Sequence, residues 1–217
     1  MRRRLLWLAF LAALAGSPAA AISLGQVDAF QSGTLGWGGR SSPTNVATGG
    51  PAGSGDAYLQ IRATAFNLGA NNTTQWSGNY LSAGVTGLDL HLNNFGPSQV
   101  ALRLSLFGPG GTFTTTNEIV LSAGSGWQAL HLGLGELDLT RTVGAGTLAE
   151  TLAAVDTLLL RHDPDPISPS GEQNSVTATL GIDNITAVPE PASGLLLALG
   201  IAAVACGRRV ASRCASS

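Results

Sequence analysis

Two runs of alternating residues, Leu88–Asn93 and Val100–Phe107, restrict the fold of this 217-residue chain more than any other feature. Every second residue of both runs is Leu or Val, and the residues between them in the first run are Asp89, His91 and Asn93. Because successive side chains of a β-strand point to opposite faces, this spacing predicts two strands that each have one buried and one polar face.

Turn signals rich in Gly, Pro and Asn separate these runs from similar short segments in the middle of the chain. We predict further strands at Val27–Phe30, Asn45–Thr48, Tyr58–Ala63, Thr73–Trp76, Thr112–Leu121, Trp127–Leu132, Thr157–Arg161 and Val176–Thr186. About ten short strands joined by such turns are typical of an all-β, antiparallel β-sandwich. One short helix is expected from Thr147 to Val155, since Thr147 and Glu150 have the spacing of a capping box.

The segment from Ile22 to Ala187 is acidic and lacks cysteine. It contains five Arg against twelve Asp and Glu, a net charge of −7, and no Lys. Without a basic stripe it is not expected to bind nucleic acid. Both cysteines, Cys206 and Cys214, lie outside it, so its stability must come from core burial, with a bound ion as a further option.

The first 21 residues have the pattern of a secretory signal peptide. Arg2–Arg4 is positively charged, Leu5–Ala15 is an apolar run too short to cross a membrane, and Pro18 interrupts the run before a group of small residues. We expect cleavage after Ala21 and therefore export of the mature chain.

A second apolar segment follows the motif Val188-Pro189-Glu190-Pro191. It runs from Ala192 to Cys206, and the basic tail 207–217 follows it. A helix of 15 residues is about 22 Å long, shorter than the hydrocarbon core of about 30 Å, so a single membrane-spanning helix here must thin the bilayer. The predicted organisation is a signal peptide (1–21), a β-sandwich ectodomain (22–187) and a C-terminal segment (188–217) with one transmembrane helix (192–206).

The residues Val188, Pro189, Glu190, Pro191, Arg208 and Arg209 carry a resemblance to the PEP-CTERM sorting signal. The resemblance implies an exported protein of a Gram-negative bacterium, anchored in the membrane and then placed at the cell surface or in the extracellular matrix. It also implies a link to exopolysaccharide and processing at the motif by an exosortase, a membrane-embedded transpeptidase-like enzyme. The alternative is an ordinary C-terminal anchor.

The ectodomain resembles a set of PEP-CTERM cargo proteins and is also similar to jelly-roll carbohydrate-binding modules. The likeness is carried by blocks such as Asp28-Ala29-Phe30, Gly49–Leu59 and Leu180–Ile185. It implies a jelly-roll β-sandwich. In such modules a structural Ca²⁺ commonly ties the first and last strands together, and the matching positions here are Asp28, Asp56 and Asp183. Alternatively, Asp56 caps its own turn and Asp183 hydrogen-bonds a neighbouring loop.

A carbohydrate ligand could bind on the polar side of the two alternating strands. Asp89, His91 and Asn93 lie on the first strand, and Arg103 lies on a strand expected beside it. One of Trp37, Trp76 and Trp127 could supply an aromatic platform for a sugar. Alternatively, these Trp side chains fill the ends of the sandwich and the polar row is the solvated face of the sheet.

No catalytic constellation stands out in the sequence. His91, His131 and His162 lack the spacing of a zinc site, and Ser54 does not lie in a nucleophile elbow. We therefore favour a non-catalytic exported surface or matrix protein. A lectin-like module that uses the polar sheet face is the second hypothesis, and a polysaccharide hydrolase with a cryptic carboxylate site is the third.

Overall fold

Two six-stranded antiparallel sheets make up most of the computed structural model, which describes residues 21–165 and 174–189. The strands are β1 (Val27–Asp28), β2 (Thr44–Val46), β3 (Tyr58–Asn67), β4 (Gly69–Asn72), β5 (Gly87–Asn94), β6 (Val100–Gly108), β7 (Gly111–Thr115), β8 (Ile119–Leu121), β9 (Gln128–Gly133), β10 (Leu139–Val143), β11 (Thr157–His162) and β12 (Ser175–Val188). Two short helices, α1 (Tyr80–Ala83) and α2 (Leu148–Ala153), lie between strands.

The two sheets differ in the strands they contain. Sheet A has the order β2-β3-β12-β5-β9, and β1 pairs with β12 outside this path. Sheet B has the order β10-β7-β6-β11-β4, and β8 pairs with β6. The consecutive strands β5 and β6 therefore belong to opposite sheets.

The hydrophobic core lies between the sheets and is built from the alternating residues. Leu90 and Leu92 of β5 and Leu104 and Leu106 of β6 are all buried within one cluster. The polar residues between them consequently lie on the outer faces of the two sheets. Both alternating runs are strands as predicted.

Helix α2 confirms the predicted capping box. The Thr147 hydroxyl accepts a hydrogen bond from the Glu150 backbone N–H at 3.2 Å, and the Glu150 carboxylate accepts one from the Thr147 N–H at 2.7 Å. Both bonds satisfy N–H groups that the first turn of a helix leaves without partners.

The structure corrects two predicted strands and adds two strands that the sequence did not predict, β4 and β10. Thr73–Trp76 is not a strand, because the Asn72 side chain accepts a hydrogen bond from the Thr74 N–H at 2.9 Å and turns the chain at the end of β4. The predicted strand Thr112–Leu121 is divided into β7 and β8 by residues 116–118.

Strand β12 is the central strand of sheet A and the longest in the structure. It pairs with β3 on one side, with β5 on the other, and with β1 near its end. Its pairing with β5 shifts between Asp183 and Thr186, where Asn184 has a φ of 52°. Asn tolerates this left-handed conformation, and the bulge keeps Ile185 in the core on the same side as Ile182.

Several sequence predictions fall outside the described residues. They are the signal peptide up to residue 20, the apolar run 192–206, Glu190, Pro191, Arg208 and Arg209. Among the residues that the structure describes, no helix has the length and hydropathy needed to span a bilayer.

Candidate functional site

Asp28 is a buried carboxylate that holds two indole rings. Its Oδ2 atom accepts hydrogen bonds from Trp37 Nε1 and Trp76 Nε1, both at 2.7 Å, and from Gln75 Nε2 at 3.2 Å. Asp28, Trp37 and Trp76 are all nearly inaccessible to solvent. The side chain of Asp28 therefore has a structural role, and two of the three Trp residues belong to the core rather than to a sugar platform.

Asp183 lies on the outer face of sheet A but is fully buried. Its Oδ1 atom has no hydrogen-bond partner, and its Oδ2 atom accepts one from Asn184 Nδ2 at 3.2 Å. Burial raises the pKa of Asp183 to about 6, the nearby negative charge of Asp56 adds to the rise, and a backbone hydrogen bond from Asn184 opposes it. An unpartnered buried carboxylate oxygen beside a second carboxylate is a natural contact for a cation.

Asp56 closes the glycine-rich turn that precedes β3. Its Oδ2 atom accepts a hydrogen bond from the Ala52 N–H at 2.8 Å, and its Oδ1 atom accepts one from Gln31 Nε2 at 3.0 Å. The capping role that the sequence left open is thus present in the structure.

The three predicted calcium ligands do not form one site. The described residues contain no group of three or more His, Cys, Asp or Glu side chains placed to hold a metal. Asp183 and Asp56 are close enough to influence each other electrostatically, whereas Asp28 is held by its two indoles. Carboxylate oxygens such as those of Asp183 and Asp56 are donors of the kind that a hard cation prefers.

A groove of about 480 Å³ crosses the outer face of sheet A. Its polar lining residues are two of the predicted ligand-face residues, Asp89 and His91, and three that the sequence analysis did not select: His131, Asn184 and Thr186. Strand β9 supplies His131, whose Nδ1 atom lies 2.7 Å from Asp89 Oδ1 across the β5–β9 pair. The Nδ1 atom of His91 is buried and has no hydrogen-bond partner. A groove with these donors and acceptors can bind the hydroxyl groups of a sugar.

Three aromatic rings lie on the same outer face. The Trp127 ring meets Tyr58 and Phe95 edge-on, with ring centroids 5.2 and 5.9 Å away. A Cβ atom at Gly181 would come within 2.8 Å of both Trp127 and Phe95, so these rings lie directly over the glycine of β12. Gly181 pairs with Asn93, two residues from His91 of the groove. The aromatic cluster, defined as Tyr58, Phe95 and Trp127, is thus adjacent to the groove.

Of the predicted ligand-face residues, Asn93 is buried and Arg103 lies elsewhere. Asn93 is on the outer face of sheet A with little exposure. Arg103 is on β6 in sheet B, so the prediction that it neighbours Asp89 is wrong. The error arose because β5 and β6, although consecutive, enter different sheets.

Arg103 is the centre of a charged cluster on the outer face of sheet B. Its guanidinium donates to the carbonyls of Thr115 and Thr116 at 2.7 and 2.8 Å and forms an ion pair with Glu118 at 2.8 Å. Its Nε atom donates to the Asp163 carbonyl at 2.7 Å. These bonds satisfy the carbonyls at the interruption between β7 and β8, so Arg103 stabilises the sheet.

Arg161 extends this cluster, because it is the direct cross-strand partner of Arg103. It forms an ion pair with the buried Asp163, whose Oδ1 atom has no hydrogen-bond partner. Sequence analysis missed this arrangement. The available signal was an Arg at an outward position on each of two strands, but their pairing is not visible in the sequence.

His162 is a buried histidine with a structural bond. Its Nδ1 atom accepts a hydrogen bond from the Ala101 N–H at 3.0 Å. Burial lowers the pKa of His162, and the charge of Asp163 partly opposes that change. His162 therefore lies apart from His91 and His131 of the groove. The described residues contain no group of three or more side chains placed to hold a metal.

The sorting motif begins inside sheet A. Val188, the last residue of β12, pairs with Gly87, and its carbonyl accepts a hydrogen bond from the Thr86 N–H at 3.0 Å. Pro189 follows directly and is the last described residue. The chain thus leaves the sandwich from its central strand.

The family comparison identifies this region. Residues 187–210 match the PEP-CTERM protein-sorting motif, which includes the last two residues of β12. The chain therefore carries an export-associated sorting signal. No curated protein matches the chain by sequence.

Solved structures similar to the ectodomain include an exo-β-agarase and carbohydrate-binding modules. An exo-β-agarase matches with a TM-score of 0.55 and 15% identity, over 78% of this chain and 26% of the agarase. The solution structure of CtCBM11 matches with a TM-score of 0.53 and 14% identity, over 77% of this chain and 97% of the module. The family 11 module from Clostridium thermocellum, in complex with a β-1,3-1,4-mixed-linked tetrasaccharide, matches with a TM-score of 0.51 and 14% identity, over the same shares.

These likenesses establish the fold alone. The described ectodomain is a jelly-roll β-sandwich of the kind found in carbohydrate-binding modules. The chain spans about a quarter of the agarase chain and nearly the whole of the family 11 module.

Proposed function

We propose that this chain is an exported, non-catalytic protein that binds a polysaccharide at the cell surface. In this proposal, residues 192–206 anchor the chain in the membrane until an exosortase processes the motif Val188–Pro191. The ligand is an exopolysaccharide of the same Gram-negative cell. The PEP-CTERM motif supports the sorting, and the fold is compatible with the binding.

The observation that carries the binding proposal is the groove beside the aromatic cluster on sheet A. Asp89, His91 and Asn184 offer acceptors and donors for hydroxyl groups. Trp127 and Phe95 offer apolar ring surface on the same face, and Phe95 is about half exposed. A sugar presents hydroxyl groups at its edge and C–H groups on its face, so it can use both parts of this surface.

Affinity electrophoresis of the full-length protein tests this site. Gels would contain mixed-linked β-glucan, agarose or exopolysaccharide purified from the source cells, with mild detergent throughout. We expect at least one polysaccharide to retard the protein. Replacing Asp89 or His91 by Ala should weaken its affinity about tenfold, the loss of one or two hydrogen bonds.

The matched control is Glu136→Ala, which removes an exposed carboxylate outside the groove. It should migrate like the unmodified protein. Equal affinity for Asp89→Ala and Glu136→Ala would exclude the groove, and absence of retardation by every polysaccharide would exclude the binding function. Release of reducing sugar from any of these polysaccharides would contradict a non-catalytic role.

The sorting proposal has a separate test. Mass spectrometry of the mature protein from the source cells should find a C-terminus at or near Val188–Pro191. A mature chain that still contains the run 192–206 would contradict processing by an exosortase.

A structural Ca²⁺ bound by Asp183 and Asp56 is also part of the proposal. The support is the unpartnered, buried Oδ1 atom of Asp183 beside the second carboxylate. A cation there would stabilise the charged form of Asp183 and hold the turn before β3 against β12. Ca²⁺ should therefore raise the stability of the native protein.

A further inference from the structure

Three segments near the place where the chain leaves sheet A each carry an exposed leucine. Leu24 is 50% exposed, Leu81 is 52% exposed and Leu137 is 93% exposed. They are the exposed leucines of the described residues, and they belong to three segments far apart in sequence.

Backbone hydrogen bonds place all three segments next to the exit point, Val188. Gly25, which follows Leu24, donates its N–H to the Ala187 carbonyl at 2.9 Å. Thr86, just after α1 and Leu81, donates its N–H to the Val188 carbonyl at 3.0 Å. Leu134, at the start of the turn that contains Leu137, donates its N–H to the Thr86 carbonyl at 2.9 Å.

The remaining exposed apolar residues include two that lie at the opposite end of the sandwich. Strand β5 runs from Gly87 at the exit point to Asn94, and Phe95 follows it. Strand β6 begins at Val100, shortly after Phe95. Val120 of β8 pairs with Ala101, near the start of β6. Val120 is 50% exposed, as Leu24 is, and therefore serves as a comparison for a similar side chain far from the exit point.

The length of chain beyond Val188 limits how far this end can be from a membrane. Only Pro189, Glu190 and Pro191 separate Val188 from the apolar run that begins at Ala192. Four residue steps span at most about 14 Å, whereas the headgroup layer on each side of a bilayer is about 5–8 Å thick. A 15-residue helix is shorter than the hydrocarbon core and draws its flanking residues inward.

We propose that the exit end, defined as Leu24, Leu81 and Leu137 around Val188, docks on the lipid surface of the membrane before the chain is processed. This inference rests on the membrane anchor of the proposed function. The three leucines insert their side chains among the headgroups and remove apolar area from water. The docked sandwich presents Pro189–Pro191 at the level of the interface, where a membrane-embedded processing enzyme works.

The charges near the exit end indicate which lipids favour docking. Residues 21–27, 77–87 and 133–138 contain no Lys or Arg, and Glu136 and Asp138 flank Leu137. Docking is therefore driven by apolar contact rather than by attraction to anionic lipids. Added phosphatidylglycerol should weaken it, because the two carboxylates are repelled by a negative surface.

The test uses the protein without its expected signal peptide, residues 22–217, in phosphatidylcholine vesicles. Cys206 and Cys214 are replaced by Ser, and a single cysteine is introduced as Leu137→Cys, Leu81→Cys or Val120→Cys and labelled with an environment-sensitive fluorophore. Quenchers attached to the lipid chains report depth. We expect quenching at positions 137 and 81 to be about threefold or more stronger than at position 120, since only the exit end enters the interface.

Retention of the protein after an alkaline carbonate wash shows independently whether the anchor is inserted. Retention with equally weak quenching at 137, 81 and 120 would overturn the docking and leave the anchor intact. Loss of the protein from the vesicles would overturn the anchor and the docking together. Strong quenching at 137 and 81 that falls when phosphatidylglycerol is added would confirm the proposal.

Discussion

Trp76 donates its indole N–H to the buried carboxylate of Asp28 across 2.7 Å, and this bond ties β1 to the turn that follows β4. Trp37 donates to the same oxygen atom at the same distance, with its ring centroid 6.5 Å from that of Trp76. One carboxylate thus satisfies two buried donors. Because β1 pairs with β12, the bond connects the first strand of the sandwich with both sheets.

Replacing Asp28 by Ala should destabilise the protein strongly. The change leaves two buried indole N–H groups without an acceptor, and each unsatisfied donor costs about 1–3 kcal/mol. We expect the free energy of unfolding to fall by about 3 kcal/mol or more, measured by urea denaturation followed by Trp fluorescence. The control Asp156→Ala, at an exposed carboxylate, should change it by less than about 0.5 kcal/mol. Similar stability of the two variants would contradict a structural role for Asp28.

The raised pKa of Asp183 should make stability fall with pH in an acidic window. The native carboxyl has a pKa of about 6 and the unfolded one has about 3.8, so between these values the native state holds more protons than the unfolded state. The free energy of unfolding therefore decreases by about 3 kcal/mol from about pH 4 to about pH 6. Above that range Asp183 causes no further change with pH.

Urea denaturation in EDTA at several pH values measures this contribution. Asp183→Asn should remove this decrease in the free energy of unfolding, so the variant should be more stable than the unmodified protein at pH 7. The control Asp156→Asn should keep the decrease. An identical slope in Asp183→Asn and the unmodified protein would show that Asp183 is not the group responsible.

With Ca²⁺ bound, the charged form of Asp183 would stabilise the native state instead of destabilising it. The cation binds the charged carboxylate of the native state only, and at a hundredfold excess over its dissociation constant it adds about 2.7 kcal/mol to the free energy of unfolding. Millimolar Ca²⁺ should therefore raise the melting temperature at pH 7 relative to EDTA. Asp183→Asn should lose this response, whereas Asp28→Asn should retain it because Asp28 lies outside the site. An unchanged melting temperature in the unmodified protein would contradict the calcium proposal.

Local patterns in the sequence predicted the local parts of the fold. The alternation at 88–92 and 100–106 and the capping box at Thr147 depend on residues only a few positions apart, and all are present in the structure. Strand β4 was missed and a strand was predicted at Thr73–Trp76 instead, because a side-chain hydrogen bond to Asn72, rather than a change in hydrophobic pattern, ends β4.

The candidate site depends on strand pairing, and periodicity does not specify pairing. Asp89 and His91 were predicted to face outward together because they are two residues apart on one strand. His131 of β9 lies beside them, whereas Arg103 lies in sheet B. Both positions are decided by which strand pairs with β5. The surroundings of Asp183 likewise depend on contacts distant in sequence, since it pairs with His91 of β5 and the charge of Asp56 acts on it.

Removing the charge of Arg103 should affect stability and leave carbohydrate binding unchanged. Arg103→Met keeps most of the side-chain volume but leaves the carbonyls of Thr115 and Thr116 without a donor and Glu118 without its ion pair. We expect the free energy of unfolding to fall by about 2–4 kcal/mol. Affinity for polysaccharide should stay within about twofold of the unmodified protein, since sheet B carries no part of the groove. If Arg103→Met remained folded but lost affinity for polysaccharide, Arg103 would have to belong to the binding surface.

A methyl group at Gly181 should disturb the aromatic cluster and, through it, the binding of polysaccharide. In Gly181→Ala the new Cβ atom would lie 2.8 Å from both Phe95 and Trp127, so the two rings must move away from sheet A. The shift breaks the contact between Trp127 and Tyr58 and the hydrogen bond from Trp127 Nε1 to the Gly49 carbonyl at 2.9 Å. We expect a loss of about 1–3 kcal/mol in stability and about tenfold in affinity, measured by urea denaturation and affinity electrophoresis. Gly38→Ala is the matched control, because a Cβ atom at Gly38 meets nothing within 4 Å. If Gly181→Ala lost stability but kept its full affinity for polysaccharide, the aromatic cluster would have no part in binding.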